Sequence, residues 1–219
     1  MADSKLSAIS HAPGAISHMP IQAVIFDMGG VILRTEDLSG RRKWARRFGM
    51  GEWELAEAVF NSEAAAAATV GKAPEAAVWE AARRRFNLSA AELIEFQNDF
   101  WAGDRFDEPL IDWVGGLRGR YRTAILSNAW SGAREFLTGQ PRVARAFETL
   151  IISAEEGVRK PQAEIYERAV QRLNILPEQA VFVDDVLENV EAARASGLLA
   201  LHFKPGLNVP RELAQMGVR

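Results

Sequence analysis

Cysteine is entirely absent from the 219 residues. This excludes a disulfide-stabilised scaffold, a thiolate metal site and a cysteine nucleophile. Long apolar runs are also lacking, since no stretch approaches the roughly 18 to 20 residues of a membrane-spanning helix, and we expect no membrane partner. An excess of charge of one sign is missing too: the net charge is only −3, which gives no electrostatic reason to expect a nucleic-acid partner.

The first 20 residues contain no lasting apolar run and no basic cluster, so they lack the pattern of a signal peptide. We interpret residues 1–20 as a flexible leader, with Met19 as a candidate natural start. Together with the lack of cysteine, this predicts a cytoplasmic protein. Apolar residues make up 48% of the chain, enough to bury a core domain and a smaller appendage.

Five short apolar runs rich in β-branched residues stand out along the chain. They are almost wholly apolar rather than alternating, which is typical of strands buried on both faces of a parallel sheet. Amphipathic helical patterns separate them, and this order predicts an α/β fold with a doubly wound parallel sheet. The runs are residues 23–28, 123–128, 149–153, 180–185 and 198–203.

About 90 residues between the first two runs contain no strand pattern and are rich in Ala, Glu, Arg, Trp and Leu. We predict a helical cap over residues 34–108, inserted into a core that comprises residues 21–33 and 109–219. Ser89 and Glu92 have the spacing of a capping box at a helix start. Such a cap is expected above the carboxyl edge of the sheet, where ligands bind in open α/β folds.

Polar residues follow several of the apolar runs, at the points where the strands are expected to end. Because the carboxyl ends of parallel strands meet at one crevice, residues more than 150 positions apart are predicted to become neighbours. Lys160, which opens a predicted helix, is expected to join them. The set comprises Asp27, Ser127, Asn128, Lys160, Asp184 and Asp185.

Three carboxylates in one crevice repel one another unless a cation is present, and their oxygen ligands favour Mg²⁺. Lys160 would supply a fixed positive charge for an anionic substrate. Ser127 and the backbone N–H groups around Gly29 and Gly30 are donors suited to phosphate oxygens. Asp27 has the chemistry of a nucleophile that forms an aspartyl-phosphate. The pattern therefore predicts a small phosphorylated substrate.

Four segments resemble, in order and spacing, the four motifs of the haloacid dehalogenase superfamily. They are "FDMGGVIL", "AILSNA", "GVRKPQAEIY" and "VFVDDVLENVEAA", and the resemblance covers roughly residues 21–205. It implies a Rossmann-like core. Within the superfamily the chain is most similar to the branch with a helical cap after the first motif. Bacterial phosphatases of the glucose-1-phosphate type and the phosphatase half of soluble epoxide hydrolase belong to the part of the superfamily that it resembles most.

The resemblance implies a role for each matching residue. Asp27 would be the nucleophile and a metal ligand, Ser127 and Asn128 would bind phosphate, and Lys160 would steady both nucleophile and phosphate. The second residue after the nucleophile is usually an aspartate that protonates the leaving group, and this chain has Gly29 there.

Three further residues of the metal site are implied by the same resemblance. Asp185 would bind it directly, Asp184 would act from the outer shell, and Gly29 would still supply its backbone carbonyl. What the glycine cannot supply is general acid–base catalysis, which typically contributes 10² to 10⁴ in rate.

Three functions remain open on the sequence. The first is a Mg²⁺-dependent phosphatase that acts on a small phosphorylated metabolite of the sugar phosphate class. The second is a 2-haloacid dehalogenase, a branch that works without metal and lacks the paired aspartates Asp184 and Asp185. The third is a phosphate-binding protein that has lost turnover because Gly29 replaces the acid–base residue.

Overall fold

The computed structural model describes residues 19–219. The prediction of a flexible leader therefore lies outside the described residues for positions 1–18. Within the described range, no helix is both long enough and apolar enough to cross a membrane.

The described residues form seven strands, five of which build one parallel sheet. The strands are β1 (Ala23–Phe26), β2 (Leu33–Thr35), β3 (Asp104–Phe106), β4 (Arg122–Ser127), β5 (Thr149–Ile152), β6 (Ala180–Asp184) and β7 (Leu199–His202). The sheet has the order β5-β4-β1-β6-β7. All five coincide with the apolar runs of the sequence. Because β1 is central and the chain winds to both sides of it, the prediction of a doubly wound α/β fold is confirmed.

Helices cover both faces of this sheet and form a separate bundle. They are α1 (Ser39–Phe48), α2 (Glu52–Phe60), α3 (Glu63–Thr69), α4 (Glu75–Arg85), α5 (Ala90–Trp101), α6 (Glu108–Gly115), α7 (Ala133–Thr138), α8 (Pro141–Ala146), α9 (Ser153–Glu156), α10 (Ala163–Leu173), α11 (Leu187–Ala195) and α12 (Val209–Gln215). The first five form the bundle, and the others pack around the sheet.

The central strand shows why its sequence is apolar throughout. Val24 and Phe26 pack into the apolar layer on one face of the sheet, whereas Ala23 and Ile25 pack into the layer on the other. All four side chains are fully buried. Burying a side chain the size of Phe or Ile contributes about 1.5 to 3 kcal/mol, so the strand is held from both sides and its carboxyl end is fixed in place.

Helices α1 to α5 have an apolar core of their own, which includes Trp44, Leu55 and Phe96. The predicted capping box at the start of α5 is confirmed. The Ser89 hydroxyl accepts a hydrogen bond from the Glu92 N–H at 3.2 Å, and the Glu92 carboxylate accepts one from the Ser89 N–H at 2.8 Å.

Two short strands, β2 and β3, lie at the two ends of the helical bundle, where the sequence analysis expected none. They pair antiparallel, with Leu33 opposite Phe106, and an ion pair of 2.8 Å joins Arg34 to Asp107 beside them. Each strand has only three residues and carries charged or polar side chains, so it shows no apolar run. We name this pair the ribbon; the chain leaves the core and returns to it through these adjacent strands.

Candidate active site

The sheet sets the carboxyl ends of three neighbouring strands beside one another. The N–H of Asp27 donates to the carbonyl of Val183 at 2.8 Å, which extends the pairing of β1 and β6 by one residue. Asp27 therefore emerges next to Asp184, the last residue of β6, and on its other side Ser127 ends β4. The expectation that these positions meet at one edge of the sheet is confirmed.

Lys160 lies at the centre of this edge and is only 2% exposed. Its Nζ is 2.7 Å from Oδ1 of Asp27 and 2.7 Å from Oδ2 of Asp184. Burial alone would lower the pKa of Lys160, but the charges of the two aspartates outweigh burial and the net shift of the pKa is upward. The side chain therefore stays an ammonium and links the two carboxylates.

The backbone of Lys160 is fixed by the side chain of Asn128. The Asn128 amide donates to the Lys160 carbonyl at 2.9 Å, and its oxygen accepts from the Lys160 N–H at 2.9 Å. Each end of this amide thus makes one hydrogen bond to the lysine backbone, and its second N–H remains available for the predicted phosphate contact. Lys160 does not open a helix as expected: α10 begins at Ala163, and residues 160–162 form a turn.

Asp184 is fully buried and is surrounded by protein donors. Besides Lys160, it accepts hydrogen bonds from the Val186 N–H at 2.8 Å and from the Asn189 amide at 3.1 Å to each oxygen. Sequence analysis missed Asn189. Its position five residues after Asp184, within the first turn of α11, was the available signal, since a helix that begins after the strand points its first turn back toward the strand end.

The carboxylates of Asp27, Asp184 and Asp185 form a compact cluster, in which one oxygen from each lies within 4.8 Å of the others. Burial, opposed by Lys160, raises the pKa of Asp27 to about 7. Burial and the charge of Asp184 also raise the pKa of Asp185. One ammonium thus faces three carboxylates, and the donor set of clustered oxygens fits a hard divalent cation.

Ser127 and Gly29 contribute groups that the protein itself leaves available. Ser127 is 3% exposed, and among the described residues its hydroxyl has no hydrogen-bond partner. A Cβ added at Gly29 would meet no atom within 4 Å. The protein's own atoms therefore leave room for a side chain at position 29.

Gly30 differs from Gly29 because another part of the chain comes close to it. Its φ is +79°, and a Cβ at this position would lie 2.1 Å from Oδ2 of Asp185. Any other residue at position 30 would therefore have to displace the Asp185 carboxylate and adopt a left-handed backbone conformation, which glycine adopts without strain. Gly30 thus leaves room for the side chain of Asp185, another residue of the same crevice.

We expect Gly30→Ala to lower the free energy of unfolding by about 1 to 3 kcal/mol, because it adds both a left-handed backbone strain and a clash with Asp185. Urea denaturation without added metal measures the change. Gly29→Ala is the matched control, since the same methyl group enters open space one residue earlier. Equal stabilities of the two variants would contradict this account of Gly30.

Three features together define a class of α/β enzymes. They are a Rossmann-like sheet, a helical bundle inserted after its first strand, and a carboxylate cluster around a buried lysine at the carboxyl edge of the sheet. The family model of haloacid dehalogenase-like hydrolases matches residues 21–197. The chain belongs to this family.

Two curated relatives illustrate the similarity. The chain is 25% identical over 190 residues to the fructose-1-phosphate phosphatase YqaB of Escherichia coli, a match that covers 83% of this chain and 95% of that enzyme. It is 41% identical over 70 residues to the sesquiterpene phosphatase astK of Aspergillus oryzae, which covers 32% of this chain and 36% of that enzyme. The chain spans only 24% of the bifunctional epoxide hydrolase 2 of Rattus norvegicus and 7% of the acyl-CoA dehydrogenase family member 10 of Mus musculus, two further curated relatives that it matches.

Solved structures share the fold. A haloacid dehalogenase family enzyme of Bacteroides thetaiotaomicron, in complex with magnesium and inorganic phosphate, superposes with a TM-score of 0.74 at 18% identity over 88% of this chain and 98% of that one. The L-2-haloacid dehalogenase of Xanthobacter autotrophicus superposes with a TM-score of 0.64 at 19% identity over 91% and 84% of the two chains. Since the same fold carries both enzymes, the choice between phosphatase and dehalogenase depends on the residues of the site.

Proposed function

We propose that this chain is a Mg²⁺-dependent phosphatase that hydrolyses a small phosphorylated metabolite, of the sugar phosphate class, through an aspartyl-phosphate on Asp27. The observation that carries the proposal is the geometry around Lys160, whose ammonium contacts both Asp27 and Asp184 at 2.7 Å within a cluster of three carboxylates. A nucleophile, a cation site and a fixed positive charge are the components that phosphoryl transfer requires.

Asp27, Asp185 and the backbone carbonyl of Gly29 are the groups that would hold Mg²⁺. Asp184 is assigned to the outer shell, because Lys160, Val186 and Asn189 already donate to its oxygens. When bound, the ion neutralises charge on the phosphoryl oxygens and makes the phosphorus a better electrophile.

The chain's own residues then perform the displacement. Oδ1 of Asp27 accepts from the Met28 N–H at 2.7 Å and from Lys160 at 2.7 Å, so the carboxylate is held in a single orientation. An oxygen of this carboxylate attacks the phosphorus, and the bond from phosphorus to the leaving oxygen breaks. Lys160, the Ser127 hydroxyl and nearby N–H groups stabilise the developing negative charge on the phosphoryl oxygens. Asn128 positions Lys160 through its two contacts with the lysine backbone.

The lack of an acidic side chain at Gly29 slows the reaction to an extent that depends on the leaving group. No side chain extends from that position to donate a proton, so the departing oxygen must take its proton from water. An anomeric sugar phosphate leaves as a more stable oxyanion than an ordinary alcohol, and it needs less help from an acid. Water then attacks the acyl-phosphate and releases inorganic phosphate and the Asp27 carboxylate.

The carboxylate cluster favours this proposal over the two other hypotheses. A dehalogenase that works without metal has no use for three clustered carboxylates, whose negative charges repel one another unless a cation lies beside them. A protein that only binds phosphate has no need of Asp27, whose carboxylate would repel the anion.

The experiment that tests the proposed function measures phosphate release from a panel of sugar phosphates and an activated aryl phosphate. Each compound is assayed with Mg²⁺ and with EDTA. We expect release that depends on Mg²⁺, that disappears with EDTA and that returns when Mg²⁺ is restored in excess.

Two other outcomes would each overturn the proposal. Halide release from 2-chloropropionate that is unaffected by EDTA, without phosphate release, would identify a dehalogenase. Neither reaction, combined with calorimetric binding of inorganic phosphate, would identify a binding protein without turnover.

A further inference from the structure

Trp130 lies in the loop between β4 and α7, yet its side chain is part of the apolar core of the helical bundle. Within the part of the chain that the structure describes, every other residue of that core lies between residues 44 and 100. The preceding residue, Ala129, packs instead into an apolar layer of the sheet. Consecutive residues therefore connect two separate apolar cores, directly after Ser127 and Asn128.

Three aromatic rings of the bundle pack against the Trp130 indole. The ring centroid of this indole lies 5.8 Å from that of Phe60, 5.8 Å from that of Trp79 and 6.4 Å from that of Trp101. Aromatic pairs at such separations attract each other beyond the gain from burial alone. Because Trp130 is only 9% exposed, the bundle fixes the position of its side chain.

The backbone beside Trp130 is held by the core. The Ala129 N–H donates to the Ser153 hydroxyl at 3.0 Å, and the Ala129 carbonyl accepts from the Ala154 N–H at 3.3 Å. The bundle reaches this segment as well, since a Cβ at Gly71 would lie 2.1 Å from the Ala154 carbonyl oxygen. The loop after β4 is therefore held from the core on one side and from the bundle on the other.

The same loop begins with groups of the candidate active site. Ser127 ends β4, and the side chain of Asn128 makes two hydrogen bonds with the backbone of Lys160. Asn128 is two residues from Trp130, a span of at most about 7 Å. A displacement of the Trp130 backbone would therefore reach Asn128 and, through it, Lys160.

We propose that Trp130 is a positioning residue, through which the helical bundle holds Asn128 and Lys160 in the geometry that binds the phosphoryl group. The inference rests on the proposed function and deepens it by a residue whose role needs no contact with the substrate. Since every phosphate ester uses the same loop, loss of Trp130 weakens all of them alike and leaves the preference among them unchanged.

The first test needs neither metal nor substrate. Amide hydrogen exchange of the full chain is followed by mass spectrometry in Trp130→Ala and Trp130→Phe. We expect roughly tenfold faster exchange in the peptides that contain Asn128 and Lys160 when alanine replaces the tryptophan, because the loop then opens more often. Trp130→Phe should restore most of the protection, since it keeps an aromatic ring in the bundle.

Phe86→Leu is the matched control for loss of aromatic packing within the bundle. Phe86 stacks on Phe48 with ring centroids 4.4 Å apart, a pair that does not include Trp130. We expect faster exchange inside the bundle and wild-type exchange at Asn128 and Lys160. Equal acceleration of the two active-site peptides in Phe86→Leu and Trp130→Ala would show that any loosening of the bundle is sufficient, and would overturn a specific role of Trp130.

Phe60→Leu alters the same contact from the bundle side and leaves the sequence of the loop intact. Phe60 is 41% exposed, so this variant protects the test against misfolding of Trp130→Ala. We expect exchange at Asn128 and Lys160 to accelerate by a smaller factor than in Trp130→Ala. Wild-type exchange of both peptides in Phe60→Leu and Trp130→Ala would contradict the proposal.

The second test measures binding of the phosphoryl group. Inorganic phosphate is titrated into the full chain in the presence of Mg²⁺, and the heat is recorded by calorimetry. We expect roughly tenfold weaker binding in Trp130→Ala, the scale of a small misplacement of the binding groups. KM should rise by a similar factor for the sugar phosphates and for the aryl phosphate, whereas their relative kcat/KM values stay within about twofold.

The failures of the two proposals are distinguishable. Wild-type phosphate affinity in Trp130→Ala, or a change in the order of preferred substrates, would overturn the role of Trp130 even if phosphate esters are hydrolysed. Faster exchange and weaker phosphate binding in this variant, without phosphate release from any ester by the wild type, would support the role of Trp130 and overturn the proposed phosphatase.

Discussion

Replacing Asp27 with asparagine is expected to reduce Mg²⁺-dependent phosphate release by roughly 10⁴-fold or more, the scale on which loss of a nucleophile acts. The substitution keeps the size of the side chain and removes the oxygen charge that attacks phosphorus. It also removes one of the two carboxylates that contact Lys160. Initial rates with saturating substrate and Mg²⁺ measure the loss, and circular dichroism shows that the fold is retained.

Asp112→Asn is the matched control for this result. It makes the same chemical change at an exposed aspartate that pairs with Arg142 on the surface, where an ion pair contributes little to stability. We expect wild-type rates from it. If Asp27→Asn retained more than a few per cent of the activity, the nucleophile would be another group and the aspartyl-phosphate mechanism would be wrong.

Introducing aspartate at position 29 is expected to accelerate the enzyme. The structure has room for it, since a Cβ at Gly29 meets no atom within 4 Å. A carboxyl group there would donate a proton to the leaving oxygen and later activate water, an effect typically worth 10² to 10⁴ in rate. The gain should be largest for phosphates of ordinary alcohols and smallest for aryl phosphates, whose leaving groups need no acid.

Gly29→Asn is the matched control. Asparagine has the same size as aspartate but cannot transfer a proton, so the comparison separates acid–base catalysis from the effect of side-chain size. The comparison is made as the ratio of kcat for an alkyl phosphate to kcat for an aryl phosphate in the wild type and both variants. We expect the ratio to rise only in Gly29→Asp. Parallel behaviour of the two variants would show that proton transfer to the leaving group does not limit this enzyme.

The strands of the sheet were predictable because burial on both faces demands continuous apolar sequence. The meeting of Asp27, Ser127 and Asp184 followed from parallel topology alone. The domain boundaries and the catalytic and metal-binding roles of the site residues stay predictions.

What could not be predicted depends on contacts between distant parts of the chain. The strands of the ribbon are too short to show periodicity. Asn128 forms hydrogen bonds with Lys160, and Asn189 with Asp184. No sequence pattern around these asparagines indicates such partners. Gly29 and Gly30 look alike in the sequence, yet only Gly30 is crowded, because its neighbour is the side chain of Asp185, which follows β6 far along the chain.

The ribbon has a consequence for how such a protein can change over time. Because Thr35 and Asp104 are paired neighbours, the segment between them is joined covalently to the core at a single place. The bundle has its own apolar interior. Its length and sequence can therefore vary without altering the distance between β2 and β3, where the chain leaves the core and returns to it. The bundle and the carboxylate edge of the sheet are therefore encoded in separate stretches of sequence, and one can be rewritten by inheritance or by engineering while the other is kept.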